Sequence, residues 1–131
     1  MIERHARMFQ AIKRFVDELR HPRGQPKHLD LTETGLALFE GDREVYRFQW
    51  AKVAKIETYK RDLGNVDMIC VDFWVDEQVM VYTANDEMTG FSTLASNLIH
   101  YFPSVAPDWW STVAFPAFAT NQKVLFTRSA A

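Results

Sequence analysis

The sequence has little of several features that mark particular protein classes. Its single cysteine, Cys70, excludes an intramolecular disulfide framework and fits a reducing compartment. It has no run of about eighteen apolar residues, so no transmembrane helix is expected. The five glycines form no phosphate-binding pattern, and the N-terminus lacks the apolar core and cleavage site of a secretory signal. We therefore expect a soluble, cytoplasmic protein.

Net charge is also low, at −2, which does not favour nucleic acid as a partner. The charge is unevenly spread along the chain. Residues 1–28 contain seven Lys or Arg and three Asp or Glu, a balance of +4. The remainder contains eight basic and fourteen acidic side chains, a balance of −6. Opposite charge favours docking of the first part on the second.

Apolar and aromatic residues are abundant, at 47% and 14% of the 131 residues. This composition excludes a disordered chain, and the length predicts a single domain over residues 1–131. Alternating apolar and polar residues predict strands because alternate side chains of a strand share one face. We expect strands near 29–31, 36–39, 45–48, 54–58, 69–75, 79–83 and 124–126. The predicted fold class is α+β, with a curled antiparallel sheet or partly open barrel of six to seven strands.

Helical spacing of apolar residues predicts helices on both sides of this sheet. An N-terminal amphipathic helix over 2–20 carries an apolar stripe, formed by Phe9, Ile12, Val16 and Leu19. After the strands, a helix starting at Asn85 or Asp86 is expected to run to Phe102, where Pro103 ends it. Residues 103–131 form a Trp-rich C-terminal extension, with a short helix after Pro107 and the last strand.

No pattern in the chain indicates catalysis or a bound cofactor. The four histidines have no metal-ligand spacing, and no His is placed to activate Cys70. The strand carboxylates Asp72 and Asp76 are expected to be solvated rather than enclosed in a cleft. We therefore predict no enzyme activity, no catalytic residue, no metal, no cofactor and no small-molecule substrate.

The sheet face opposite the core is the better candidate for function. If Ile56, Ile69, Val71, Phe73, Val79 and Val81 face the core, the other face carries unusually apolar residues for a solvent-facing side. Helix 2–20, a second copy of the chain or a different protein would cover it. The candidate interaction surface includes the Trp pair of the extension and consists of Tyr59, Arg61, Asp72, Trp74, Met80, Tyr82, Trp109 and Trp110.

Residues 28–102 resemble the pleckstrin-homology-like superfold, in particular its bacterial GRAM-related versions. The resemblance rests on Gly35-Leu36-Ala37-Leu38 and on 46–56, where a strand ends in Trp50 and aliphatic residues follow at Val53 and Ile56. It implies a non-catalytic binding scaffold whose helix plugs the open end of a barrel. Phosphoinositide binding does not carry over, because residues 29–44 hold five acids and one arginine. Helix 2–20 and the extension also depart from the family pattern.

These observations favour a small bacterial binding module with a protein partner or a homodimer. One alternative is a toxin-neutralising immunity protein, because an acidic surface can mimic the substrate of a basic nuclease. Another is attachment to a membrane surface through the basic helix, although Asp17 and Glu18 interrupt its basic face.

Overall fold

The computed structural model describes residues 25–64, 67–116 and 119–128. The helix predicted over 2–20 lies outside these residues. Seven strands and two helices are present in the described ranges. The strands are β1 (Lys27–Leu31), β2 (Gly35–Glu40), β3 (Arg43–Gln49), β4 (Val53–Asp62), β5 (Asp67–Val75), β6 (Met80–Asn85) and β7 (Lys123–Thr127), and the helices are α1 (Phe91–Tyr101) and α2 (Trp109–Ala114).

The strands form two antiparallel sheets, one of three strands in the order β1-β2-β3 and one of four in the order β6-β5-β4-β7. This confirms an antiparallel α+β architecture, but the sheets do not close into a barrel. The break follows β3, where a 3₁₀ turn at Trp50–Lys52 separates β3 from β4. The buried Trp50 indole anchors this corner by donating a hydrogen bond to the carbonyl oxygen of Thr32 at 2.9 Å.

Side chains, rather than a backbone ladder, join β3 to β6. The ring of Phe48 stacks on Tyr82 with centroids 5.4 Å apart and lies 5.1 Å from Phe73. The Tyr46 hydroxyl donates to the carbonyl oxygen of Thr83 at 2.9 Å. These contacts bring the two sheets together around one aromatic-rich core, to which both helices also contribute buried residues.

Helix α1 begins later than the sequence pattern predicts. Asn85 still belongs to β6 and pairs with Cys70, so neither it nor Asp86 caps the helix. The residue before the helix is Gly90, with a φ of 91° that favours glycine. Leu94 and Leu98 then direct their side chains into the core. The short helix after Pro107 and the last strand are confirmed as α2 and β7.

The face assignment predicted for β6 is wrong. Val75 pairs with Met80 and Phe73 with Tyr82, so the connecting loop has four residues. Directly paired residues point to the same face of a sheet. With four residues in the loop, each odd-numbered residue of β5 pairs with an even-numbered residue of β6 and shares its face. Met80 and Tyr82 therefore pack against the core, whereas Val79 is 62% exposed in the loop.

Candidate interaction surfaces

The four-stranded sheet has one face toward the core and one face away from it. We call the second the outer face, and the pairing register defines its members. They are Lys55, Glu57, Tyr59 and Arg61 of β4, Met68, Cys70, Asp72 and Trp74 of β5, and Val81, Thr83 and Asn85 of β6. Of the predicted surface residues, Tyr59, Arg61, Asp72 and Trp74 share this face, while Met80 and Tyr82 lie on the core side.

A polar cluster occupies the middle of the outer face. The Asp72 carboxylate accepts a hydrogen bond from the Thr83 hydroxyl at 2.7 Å, and the Tyr59 hydroxyl lies 3.3 Å from the same oxygen, Oδ1. Asp72 is nevertheless buried. Sequence reasoning expected this carboxylate to be solvated, and the structure shows it enclosed and hydrogen-bonded instead.

Cys70 lies beside this cluster, paired with Tyr59, and is only 1% exposed. Burial is the main cause that raises the pKa of its thiol to about 12, with the Arg61 guanidinium opposing the shift and the Asp72 carboxylate adding to it. A thiol with such a pKa is protonated at neutral pH, and the thiolate is the nucleophilic form. Cys70 is therefore not suited to nucleophilic catalysis.

Trp74 lies toward the β5–β6 end of the outer face. The Lys55 ammonium sits 5.5 Å from the centroid of the Trp74 ring, within the range of a cation–π contact, and also forms an ion pair with Glu57. The Trp74 indole nitrogen is buried, and no hydrogen-bond acceptor for it is found in the described part of the chain. The indole N–H of Trp74 is thus an enclosed hydrogen-bond donor on the outer face.

A second surface lies between α1 and α2, where a groove of about 320 Å³ opens to solvent. Its lining comes from one side of α1 and from the start of α2, and consists of Ser92, Ala95, Ser96, Pro107, Trp109 and Trp110. The exposed Ile99 follows Ala95 and Ser96 by one turn, so it extends the same side of the helix.

The two tryptophans of α2 have different environments. Trp109 is 4% exposed and belongs to the core, because it points from the first turn of α2 toward the buried side. Trp110 is 38% exposed, with its ring 5.8 Å from Phe91 and 5.6 Å from Trp109. Adjacent positions on a helix differ by about 100° in direction, so only one of the pair can face the core. The sequence alone did not say which of the two is available.

Side chains suited to metal chemistry are not gathered in the described ranges. No group of three or more His, Cys, Asp or Glu residues there is placed to hold a metal ion. Nor does any helix within 25–64, 67–116 and 119–128 combine the length and apolar character needed to cross a membrane.

Comparison of the chain with protein-family models, with curated proteins and with solved structures gives no significant match. The two surfaces are therefore interpreted from their own geometry and chemistry.

Proposed function

We propose that this protein is a non-catalytic protein-binding module whose binding site is the groove between α1 and α2. The supporting observation is the half-exposed Trp110, whose ring borders a groove on one side of a helix that also exposes Ile99. Tryptophan is enriched among the residues that contribute most to protein–protein binding. Ile99 is not part of the groove lining but lies on the same side of α1, and exposed apolar residues that form one patch mark interaction sites.

The dimensions of the groove favour one apolar anchor of a partner over a cofactor. Its volume of about 320 Å³ is at the lower end of the 300–1,000 Å³ typical of small-molecule sites. The groove opens to solvent, and two serines, Ser92 and Ser96, are among its lining residues. An aromatic or branched aliphatic side chain on a short peptide or helix fits this combination, with the hydroxyls forming part of a polar rim.

The proposed family assignment is a pleckstrin-homology-like domain of the GRAM-related type. It is supported by two antiparallel sheets followed by a helix, α1, whose buried side contributes Phe91, Leu94 and Leu98 to the core between them. In this assignment the groove on the opposite side of α1 is a binding surface, and the domain has no active site. Fold alone does not define a partner, so the groove carries the functional proposal.

Affinity capture with the full chain as bait tests this function. Ser96→Arg places a long charged side chain at the groove from an exposed helical position, where arginine is well tolerated. Trp110→Ala removes the exposed ring. We expect each variant to bind the captured partner at least about tenfold more weakly than the wild-type chain does. A tenfold weaker affinity corresponds to a loss of about 1.4 kcal/mol in binding free energy.

Val79→Arg is the matched control, because Val79 is also an exposed apolar residue and lies in the β5–β6 loop, outside the groove lining. It should retain the partner as the wild-type chain does. Equal retention by Ser96→Arg and Val79→Arg, or no reproducible partner of the wild-type chain, would contradict the proposal. Light scattering of the same variants measures their solution mass. If the partner is a second copy of the chain, Ser96→Arg should have a lower solution mass than the wild-type chain.

The two alternative functions receive less support. The immunity-protein alternative rests on a charge balance of −6 that is spread over residues 29–131, and at one of its acids, Glu40, Lys27 lies 3.9 Å away and Arg43 3.7 Å away. Membrane attachment depends on residues 2–20, which lie outside the described ranges. We therefore propose neither of them as the main function.

A further inference from the structure

Phe115 follows α2 directly and is 72% exposed, the largest fraction among the large apolar side chains of the described ranges. An exposed aromatic ring leaves a large apolar area in water, because a buried aromatic side chain covers about 150–250 Å². Single exposed apolar residues are ordinary on protein surfaces. Phe115 differs from them in how its backbone is held and in what surrounds it.

Hydrogen bonds fix the backbone on both sides of Phe115. The ammonium group of the buried Lys60 donates to the carbonyl oxygen of Ala114 at 2.8 Å and also to that of Pro116. The side-chain amide of Asn121 donates to the same Pro116 oxygen at 3.2 Å. The exposed ring is therefore carried by a backbone that is already ordered. Less conformational entropy is then lost when the ring binds, which favours affinity.

The part of the chain that contains α1 and α2 has almost no charge. Acidic and basic side chains make up 24% of the whole chain, but residues 91–122 contain a single one, Asp108. Depletion of charge is characteristic of the core of a protein–protein interface. It also allows two copies to meet, because a two-fold axis brings a group close to its own counterpart, where like charges would repel each other.

We infer that the groove binds Phe115 of a second copy of the chain, so that two molecules exchange these rings in a two-fold symmetric dimer. The inference rests on the function proposed for the groove and names its partner. Trp110, at the start of α2, lines the groove, and Phe115 follows the end of the same helix of 6 residues. A helix of this length spans about 9 Å, so a two-fold axis near its middle brings each ring to the groove of the other molecule.

The groove has the size and the lining for one phenylalanine ring. A cavity of about 150 Å³ already holds benzene, so a groove of about 320 Å³ admits a ring together with part of its backbone. Trp109 and Trp110 belong to the lining, and aromatic side chains in contact stabilise an interface beyond the area that they bury. One ring per groove is a small interface compared with the total of about 1,200–2,000 Å² typical of stable complexes. We therefore expect a weak dimer, with a Kd on the order of 10–100 μM.

Light scattering of the full chain at concentrations up to about 500 μM measures this association. Phe115→Asp replaces the exposed ring with a charge, and Ser96→Arg obstructs the groove but keeps the ring. We expect both variants to associate at least about tenfold more weakly than the wild-type chain. Val124→Asp is the matched control, because Val124 is also an exposed apolar residue but lies on β7, outside the groove lining. Its association should equal that of the wild-type chain.

A mixture of the two variants tests the exchange directly. The Ser96→Arg chain supplies a ring and the Phe115→Asp chain supplies an open groove, so together they retain one of the two contacts. The Trp110 indole N–H signal of a ¹⁵N-labelled Phe115→Asp chain should therefore shift when unlabelled Ser96→Arg chain is added at about 1 mM, where a millimolar Kd is detectable. Unlabelled Phe115→Asp chain, which has no ring to insert, should leave the signal unchanged.

A monomeric wild-type chain over the whole concentration range would overturn the inference, as would a Phe115→Asp chain that associates like wild type. An indole signal that does not shift in the mixture would overturn it too. None of these results contradicts the groove as a binding site, because capture of a different protein, and its loss in Ser96→Arg, is measured separately. If circular dichroism shows that Phe115→Asp does not fold, Phe115→Ser replaces it in each measurement.

Discussion

The ammonium group of Lys60 in β4 donates a hydrogen bond to the carbonyl oxygen of Ala114, the last residue of α2, at 2.8 Å. The same group bonds the carbonyl oxygen of Pro116 and lies 3.3 Å from the Asp67 carboxylate. Lys60 is buried because it pairs with Ile69 on the core side of the sheet. A buried cation thus joins the C-terminal end of α2, where a helix favours positive charge, to the end of the four-stranded sheet.

Replacing Lys60 with Met should therefore destabilise the protein. The change keeps most of the side-chain length but removes the ammonium donor of the Ala114 carbonyl oxygen. It also removes one partner of the Asp67 carboxylate and one of the Pro116 carbonyl oxygen, which Asn121 contacts as well. Breaking a buried ion pair by removing one partner costs about 3–5 kcal/mol, and we expect about 3 kcal/mol because Asp67 retains some solvent contact. Urea unfolding measures the change. Lys52→Met, at an exposed position, is the control and should stay within about 0.5 kcal/mol of wild type.

Tyr46→Phe should cost about 1 kcal/mol, the usual contribution of one hydrogen bond. The variant keeps the ring contacts with Phe48 and Tyr82 but loses the hydroxyl that donates to the Thr83 carbonyl. The urea midpoint at neutral pH measures this cost. An unchanged midpoint would mean that this bond does not help to hold β3 against β6.

The same tyrosine predicts a pH dependence. Burial, and to a lesser extent the Asp72 carboxylate, raises the pKa of Tyr46 well above the ordinary value near 10. Above pH 10 the unfolded chain loses the phenol proton while the folded chain keeps it, so stability falls as pH rises. Tyr46→Phe lacks this titration. We expect the stability difference between wild type and Tyr46→Phe to shrink between pH 9 and 11, and a constant difference would contradict the assignment.

Gly90→Ala should destabilise the start of α1. An added Cβ would lie 2.8 Å from the carbonyl oxygen of Leu29, and the φ of 91° is strained for any side chain. Gly64→Ala is a matched control, with a φ of 101° but open space around the added carbon. We expect a loss of about 1 kcal/mol for Gly64→Ala from backbone strain alone, and about 2–3 kcal/mol for Gly90→Ala. Equal losses would show that the contact with Leu29 relaxes without cost.

The adjacent tryptophans should respond differently to truncation. Trp109→Ala empties a site in the core and should cost about 3–5 kcal/mol, whereas Trp110→Ala removes a half-exposed ring and should cost less than about 1 kcal/mol. Thermal or urea unfolding of both variants checks this. A large loss for Trp110→Ala would mean that its ring supports the fold, and would remove the main support for the groove as a binding site.

Local sequence patterns were sufficient to predict the strands, including the final one, and the short helix at Trp109. Alternation with a period of two and turns rich in Gly and Asp are properties of neighbouring residues, so they do not depend on distant contacts. The start of α1 was predicted too early for the same reason. Asn85 is a good helix cap by type, but its pairing with Cys70 extends β6, and that pairing depends on residues fifteen positions away.

The sequence by itself thus determined the class of fold, the positions of most elements and the residues of β5 that face the core. Tertiary structure decided three further points: two sheets instead of one, the core placement of Met80 and Tyr82, and the exposure of Trp110 rather than Trp109. The physical reason is that these choices depend on loop length, on pairing register and on which side of a helix meets the core. Each of them is set by contacts between elements, and a pattern confined to one element does not contain it.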